Sequence, residues 1–343
     1  MSERVLTQRE LNRALLARQL LLERGRPSIP KALERIGGIQ AQYAPSMYVG
    51  LWTRVDGLER EALTRALERR TVVQATMMRA TIHLVSRVDY WPMTAAIRAS
   101  RLAWWERVHP DADPREMRAA ARKLRRFLAG RPRRWKEIQA HLGRDAALGA
   151  GAYVDLVRIP PSGTWDQRRA DLYGLAEEWV GPEDSSEEDG LELLVRRYLG
   201  GFGPASRAEI ADFGMVPAAA VGRTLERMRL RRFRDEAGKE LLDLPRAPLP
   251  DSDTPAPPRF LPVWDATLLV HARRTQILRE EDRPRIFNVK TPQSASTFLV
   301  DGQVAGTWRH DKGRIRLEPF GRLPRAVRKE LEEEAERLAA FHA

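Results

Sequence analysis

The sequence predicts a mainly helical α+β chain. Three tandem modules, each a set of helices closed by a hairpin, precede a C-terminal β-rich region with a closing helix. Three observations carry this expectation. Apolar-periodic helices followed by alternating strands recur three times before residue 245. The stretch Leu244 to Pro262 then holds seven prolines, the composition of an extended connection. Beyond it, Phe298 to Trp308 alternates around Asp301-Gly302, the residue pair that a type I′ turn needs. Helices closed by a hairpin are the outline of a winged helix. On this reading residues 1–108, 109–180 and 190–244 are the modules, 245–262 the proline-rich linker and 263–343 the C-terminal region.

Each element has a local reason. Thr7-Gln8-Arg9-Glu10 is a capping box, and Leu11, Leu15, Leu16 and Leu22 follow on one helical face. Lys31 to Ile36 forms a short helix that Gly37-Gly38 ends, and Asp56 to Arg69 forms a third. Val72 to Met77 and Thr81 to Val85 alternate as a hairpin. In the second module, Met117 to Leu128 is a basic helix stopping at Gly130. Trp135 to Leu142 and Ala146 to Arg158 follow as helices, and Thr164 to Tyr173 can form the wing. The acidic stretch Gly181 to Gly190 leads into Leu191 to Leu199. Ser206 to Glu209 is another capping box, Pro217 to Met228 a helix, and Arg232 to Leu244 a hairpin turning at Glu236-Ala237-Gly238. Ile315 to Leu317 is a further strand, and Pro324 to Phe341 the closing helix.

Composition narrows the function. The chain has 343 residues, is 43% hydrophobic and 31% charged, and carries a net charge of +12. Residues 1–150 hold 29 Lys plus Arg against 15 Asp plus Glu, whereas residues 151–343 hold 30 against 32. The excess therefore sits in the first half and points to a polyanionic partner, nucleic acid or an acidic membrane surface. Arg supplies 52 of the 59 basic residues; bidentate phosphate contact and a GC-rich genome both produce that bias. The absence of cysteine excludes disulfides, thiolate metal sites and a cysteine nucleophile. No apolar run approaches the length of a membrane span, and Met1-Ser2-Glu3-Arg4 opens no signal core. The expectation is a soluble cytoplasmic monomer associated with the nucleoid. No phosphate-binding glycine loop and no hydrolase or zinc-protease motif is present, and the six histidines are scattered.

The segment Gly37-Gly38-Ile39-Gln40-Ala41-Gln42-Tyr43-Ala44-Pro45 stands out. Glutamines at i and i+2 point the same way only in an extended stretch, and the glycines and Pro45 favour a break between helices there. Two amides then converge on one point. A polar loop without chemistry has the same spacing.

Ile39-Gln40-Ala41-Gln42, followed by Arg79-Ala80-Thr81-Ile82-His83-Leu84-Val85, resembles the AlkZ-like family of winged-helix DNA glycosylases. Pro160 to Trp165, Leu261 to Asp265 with His271 to Arg274, and Phe298 to Trp308 resemble it too, in the family's order along nearly the whole chain. The most specific mark is the pair of glutamines flanking an aliphatic residue. A sister branch carries Asp at the second position, and Ala41 is a small member of the middle one. The resemblance implies three winged helices forming a concave basic surface around duplex DNA. It implies hydrolysis of the N-glycosidic bond of N7-alkylated purines, including bulky adducts and interstrand crosslinks, with no metal or organic cofactor.

A neutral amide orients water but does not deprotonate it as a carboxylate does. Such a catalyst suits a cationic N7-alkylpurine, which leaves neutral and needs no general acid. Gln40 and Gln42 are therefore the candidate catalytic pair, for water positioning and oxocarbenium stabilisation. Arg79, Thr81 and His83 alternate on one face if 79–83 is a strand, either toward the lesion and its phosphates or toward solvent. Tyr43 is placed to touch DNA beside the glutamines, while Tyr48 and Trp52 read as hydrophobic. Trp264, Asp265, His271 and Arg274 are further candidates, Asp265 being equally explained by an ion pair with an Arg. For phosphate binding, Arg118, Arg122, Arg125 and Arg126, then Arg131, Arg133, Arg134 and Lys136, form the densest basic cluster, with few acids near it in sequence. The alternative is a non-catalytic tandem winged-helix DNA-binding protein or regulator, or an RNA-binding or scaffolding protein.

Overall fold

Among the described residues, thirteen short strands pair in three small sheets, and fifteen α-helices pack around them. The computed structural model describes residues 4–269, 274–287 and 294–343. The chain is α+β and mainly helical.

The first unit runs β1 (Val5–Leu6), α1 (Gln8–Arg18), α2 (Ile29–Ile36), β2 (Ile39–Gln40), α3 (Ala44–Trp52), α4 (Arg60–Glu68), β3 (Val72–Thr76), β4 (Ile82–Ser86) and α5 (Arg87–Val108). Both halves of the Thr7–Glu10 capping box are made. Helix α5 carries no strong sequence signal because Pro92 lies inside it and its apolar residues have no single face. The third helix expected from sequence begins at Arg60, four residues later than its pattern suggests.

The second unit runs α6 (Pro114–Leu128), β5 (Arg133–Arg134), α7 (Trp135–Leu142), α8 (Arg144–Tyr153), β6 (Leu156–Arg158), β7 (Leu172–Leu175) and α9 (Ala176–Trp179). Two expectations change here. The helix expected through Arg158 stops at Tyr153, because residues 156–158 pair with strands on both sides. The wing expected over 164–173 is mostly loop, and only Leu172–Leu175 is strand. Ser162 fastens that loop: its Oγ accepts from Asp171 N (2.9 Å) and Leu172 N (3.1 Å) and donates to Arg169 O (2.7 Å).

The third unit is α10 (Glu187–Phe202), α11 (Arg207–Gly214), α12 (Ala218–Arg227), β8 (Arg231–Asp235) and β9 (Glu240–Asp243). The C-terminal region follows with β10 (Arg259–Leu261), α13 (Ala266–Leu269), α14 (Arg283–Ile286), β11 (Thr297–Val300), β12 (Gln303–Asp311), β13 (Arg314–Pro319) and α15 (Arg325–His342). The proline-rich stretch thus ends in a strand: β10 pairs with β11, so residues 259–261 belong to the sheet. Asp301 and Gly302 both hold positive φ (47° and 79°), as a type I′ turn requires. That turn docks on α1, where Asn12 Nδ2 donates to Gly302 O (2.8 Å) and Arg13 pairs with Asp301.

The topology joins what the sequence separates. One six-stranded sheet has the order β2-β4-β3-β6-β7-β5, so the first two units share it. β1 pairs in parallel with β8 of the third unit. The most extensive helix–helix contact, α5 on α10, joins the first and third units. The C-terminal sheet and α15 share a core with α3 and α4, in which Tyr48, Trp165, Phe260, Trp308 and Leu338 meet. No helix among the described residues is long and apolar enough to cross a membrane.

Candidate active site

Helix α2 ends because Gly37 and Gly38 both adopt left-handed φ (80° and 83°). A Cβ at Gly37 would approach the Phe202 ring at 3.2 Å, and one at Gly38 would approach Leu84 O at 3.2 Å. This glycine pair turns the chain directly into β2. β2 lies on the edge of the six-stranded sheet and pairs antiparallel with β4, setting Ile39 opposite Leu84 and Gln40 opposite His83. Residues opposed in this way project from one face, with Cβ atoms about 5 Å apart. The ladder extends one step past β2, where Ala41 N donates to Ile82 O at 2.7 Å. Gln42 then supplies the next rung from its side chain: Ile82 N donates to Gln42 Oε1 at 3.1 Å.

The two glutamines therefore differ. Gln40 is buried, 7% exposed, and its Oε1 accepts from Arg79 Nη2 at a long 3.4 Å. Gln42 is exposed; its oxygen is committed to a backbone amide and its NH₂ group is left to donate.

The hairpin expected over 72–77 and 81–85 forms as β3 and β4, but its second strand does not reach back to 79. Met78–Ala80 is a single 3-10 turn, and β4 starts only at Ile82. Arg79 and Ala80 hold φ of 53° and 54°, a left-handed pair without glycine. Arg79, Thr81 and His83 consequently do not alternate on one strand face. Arg79 folds back over Gln40, with its guanidinium carbon 5.6 Å from the Phe213 ring centre on α11. Its Nη1 is buried without a hydrogen-bond partner among the described residues. Burial pulls its pKa down to about 10. Thr81 acts locally, its Oγ1 donating to Met78 O at 3.1 Å to close the turn.

His83 is buried, 3% exposed. Burial first, and the nearby charge of Arg79 second, push its pKa down to about 3, against the opposing pull of the Thr81 carbonyl. The ring is neutral near pH 7. Its Nδ1 lies 3.1 Å from Thr81 O, an acceptor only, which assigns the proton to Nδ1 and leaves Nε2 as an acceptor.

Tyr43 is 40% exposed, and its hydroxyl accepts from Arg168 Nη1 at 3.1 Å. It borders a cavity of about 510 Å³ between α3 and the C-terminal region, lined also by Trp165, Trp308, His310 and His342. His310 stacks on His342 with ring centres 4.4 Å apart. Burial, His310 and two arginines bring the His342 pKa down to about 4. Tyr48 and Trp52 are buried, and Asp265 makes a two-pronged buried ion pair with Arg54 (2.9 Å at each prong). Trp264 is half-buried, and its backbone N donates to Ser294 Oγ at 2.7 Å. His271 and the side chain of Arg274 lie outside the described residues.

The basic cluster divides. Arg122, Arg126, Arg131 and Lys136 are exposed, and no ion pair holds them among the described residues. Arg118 lies over the Tyr153 ring, its guanidinium carbon 5.7 Å from the centre. Contrary to the expectation from local sequence, acids do reach three members. Arg125 pairs with Glu177 (2.8 Å), Arg134 with Asp171 (2.7 Å) and Arg133 with Glu137 (3.6 Å), two of these acids arriving from distant sequence. Arg133 and Arg134 form β5, the sheet edge opposite Gln40. Five strand-to-strand steps place the two edges about 24 Å apart.

Sequence reasoning missed a second cavity of about 310 Å³, built from the far end of α5, the start of α7, and Arg158 and Tyr173 on β6 and β7. Its one available signal was the pair Trp104-Trp105 on an otherwise basic helix end. Among the described residues, no three His, Cys, Asp or Glu side chains group as a metal site.

A family model described as DNA glycosylase AlkZ-like matches residues 33–341. The solved structure of the Streptomyces sahachiroi DNA glycosylase AlkZ superposes with a TM-score of 0.81 at 19% identity. That match covers 99% of this chain and 98% of the other. None of the curated proteins matches the sequence.

Proposed function

Because the chain belongs to the AlkZ-like family of DNA glycosylases, and is on that ground a DNA N-glycosylase, we propose that its substrates are cationic N7-alkylated purines in duplex DNA, bulky adducts and crosslinks among them. The three helix-and-hairpin units act as winged-helix modules on the duplex. The observation that carries the reading is the seating of Gln40 on the edge strand of the sheet, between neutral His83 and the half-free guanidinium of Arg79.

The chemistry balances without a general acid. The C1′–N9 bond breaks and its electron pair neutralises the cationic purine. The sugar is left as an oxocarbenium ion, water adds to C1′, and the water's second proton passes to solvent. The side chains on this edge supply acceptors, not bases. Gln40 Oε1 and the His83 Nε2 lone pair face an electron-poor sugar and a water that must be oriented. Arg79 serves the phosphate flanking the lesion, because its buried Nη1 needs an acceptor that the described residues do not supply. Gln42 holds the loop through Ile82 N and turns its NH₂ group outward.

Release of free base from N7-methylguanine DNA tests this. Gln40→Ala should slow single-turnover release by about 10²-fold or more, the scale of a lost transition-state contact, with DNA affinity within about twofold. Gln42→Ala should slow release and also lower stability by about 1 kcal/mol, the usual worth of one hydrogen bond. Full activity in Gln40→Ala, or efficient excision of an uncharged purine lesion at neutral pH, would sink the proposal.

A further inference from the structure

The 310 Å³ cavity lies on the opposite sheet face from Gln40 but at the same end, under the turn that carries Arg79. Thr76 and Ala80 form one border. The register puts Gln74, Arg158, Tyr173 and Arg133 in one row across four strands, on the face away from His83. Aromatic side chains make the walls: Trp104 and Trp105 from α5, Trp135 from α7, and Tyr173. Trp104, Trp135 and Tyr173 are only half-buried, so ring surface is left open at the mouth.

Two arginines meet at Thr76 beneath these walls. Arg158 is 7% exposed. Its Nη1 donates to Thr76 Oγ1 (2.9 Å), its Nη2 lies 3.4 Å from the Tyr173 hydroxyl, and its guanidinium carbon is 4.6 Å from that ring's centre. Arg101 donates from Nη1 to Thr76 O (3.0 Å) and from Nη2 to Asp155 (2.7 Å). Asp155 is already shared with Arg98. Among the described residues no carboxylate pairs with Arg158. The Nε atoms of both Arg101 and Arg158 are buried without a partner among the described residues. A buried cation without a counter-charge, with its own Nε and that of the neighbouring Arg101 unpartnered, is costly to keep in an unliganded fold.

We propose that this cavity is a second nucleotide site, which receives an unpaired nucleotide of the bound DNA. Its base lies against the tryptophan and tyrosine rings, and its acceptor atoms or phosphate meet Arg158 and Arg101. The volume suits one base, and aromatic walls over an arginine floor match what a base offers, two π-faces and an acceptor edge. The proposal rests on the functional reading above only in taking DNA as the source of the nucleotide.

The test is binding of the full chain to two duplexes, one fully paired and one with a single bulged guanine. The wild type should prefer the bulged duplex by at least about fivefold, the low end of what one stacked base contributes. Arg158→Met and Ala152→Phe should each lose that preference while holding the paired duplex as the wild type does. Ala152 lines the cavity and makes no polar contact through its side chain, so its variant fills the space without unpairing a charge. In a second arm, deoxyguanosine 5′-monophosphate should bind the wild type and not Ala152→Phe, and deoxyribose 5-phosphate should fail to replace it. A wild type that does not distinguish the duplexes overturns the proposal. So does preference retained in both variants, or equal binding of the baseless phosphate, which makes the cavity an anion site only. Release of methylated base is scored separately. A chain that excises nothing overturns the functional reading, while the bulge preference stands or falls by itself.

Discussion

Arg79 and Ala80 occupy the left-handed region at a cost of about 1–2 kcal/mol each relative to ordinary backbone. The cost is met because the bend drives a guanidinium back onto Gln40 and under the third unit at Phe213. The sequence pattern Arg-Ala-Thr-Ile-His alternates as a strand does, so this bend could not be read from it. What could be read was the glutamine pair, because flanking glycines and a proline leave few conformations open to it. His83 offers a residue-scale prediction. Its pKa in the fold, about 3, lies below the ordinary 6.5 it regains on unfolding. Between those values the unfolded chain binds the extra proton, so stability is fully present above pH 6.5 and is lost as pH falls toward 3. The His83 contribution to that slope is at most about 1.4 kcal/mol per pH unit. His342 adds in the same direction down to about 4. His83→Gln should flatten the acid limb of a melting-temperature profile between about pH 6.5 and 4 by roughly half, since two such histidines share it. An unchanged limb would show that His83 is not buried neutral.

At the scale of elements, capped helices and the Asp-Gly hairpin were legible because their signals are local: a side chain three residues from its partner, or a turn that demands two positive φ values. Helix α5 and strand β6 were not. α5 is specified by what it packs on, and β6 by strands β3 and β7, which lie far from it in sequence. The α5–α10 contact shows the constraint. Pro92 lies inside α5, and its carbonyl sits where Gly190 of α10 passes. A Cβ at Gly190 would fall 2.2 Å from Pro92 O and 3.0 Å from Ala96 N, backbone atoms that cannot step aside. Gly190→Ala should therefore destabilise the fold by about 1–3 kcal/mol, the range for overpacking, although alanine is the better helix former. Chemical denaturation measures this. A variant as stable as the wild type would mean the helices separate there at little cost.

At the scale of the whole molecule, the uneven charge of the chain was visible in the sequence, but its use was not. Local sequence shows the arginines of α6 and β5 with few acids beside them; the fold delivers Glu177 and Asp171 to Arg125 and Arg134. It leaves Arg122 and Arg126 of α6 exposed without an ion pair among the described residues. The shared six-stranded sheet then sets Gln40 on one edge and Arg133 and Arg134 on the other. DNA lying across both ends of such a sheet is held mostly by phosphate contacts, and each contact neutralised by the protein releases counterions. The arginines that fold without a carboxylate should carry this term, because a paired guanidinium has to give up its acid first. The slope of log affinity against log salt should be steep for the wild type and shallower by about 2 for Arg122→Gln/Arg126→Gln, about 1 per lost phosphate contact. Arg134→Gln should change it by less. All three proteins should bind unrelated undamaged sequences with similar affinity, since phosphates carry no sequence information. Equal slopes for wild type and double variant would remove α6 from the DNA interface. A larger effect at Arg134 would mean that its pair with Asp171 opens on binding, and the interface would then centre on the β5 edge of the sheet.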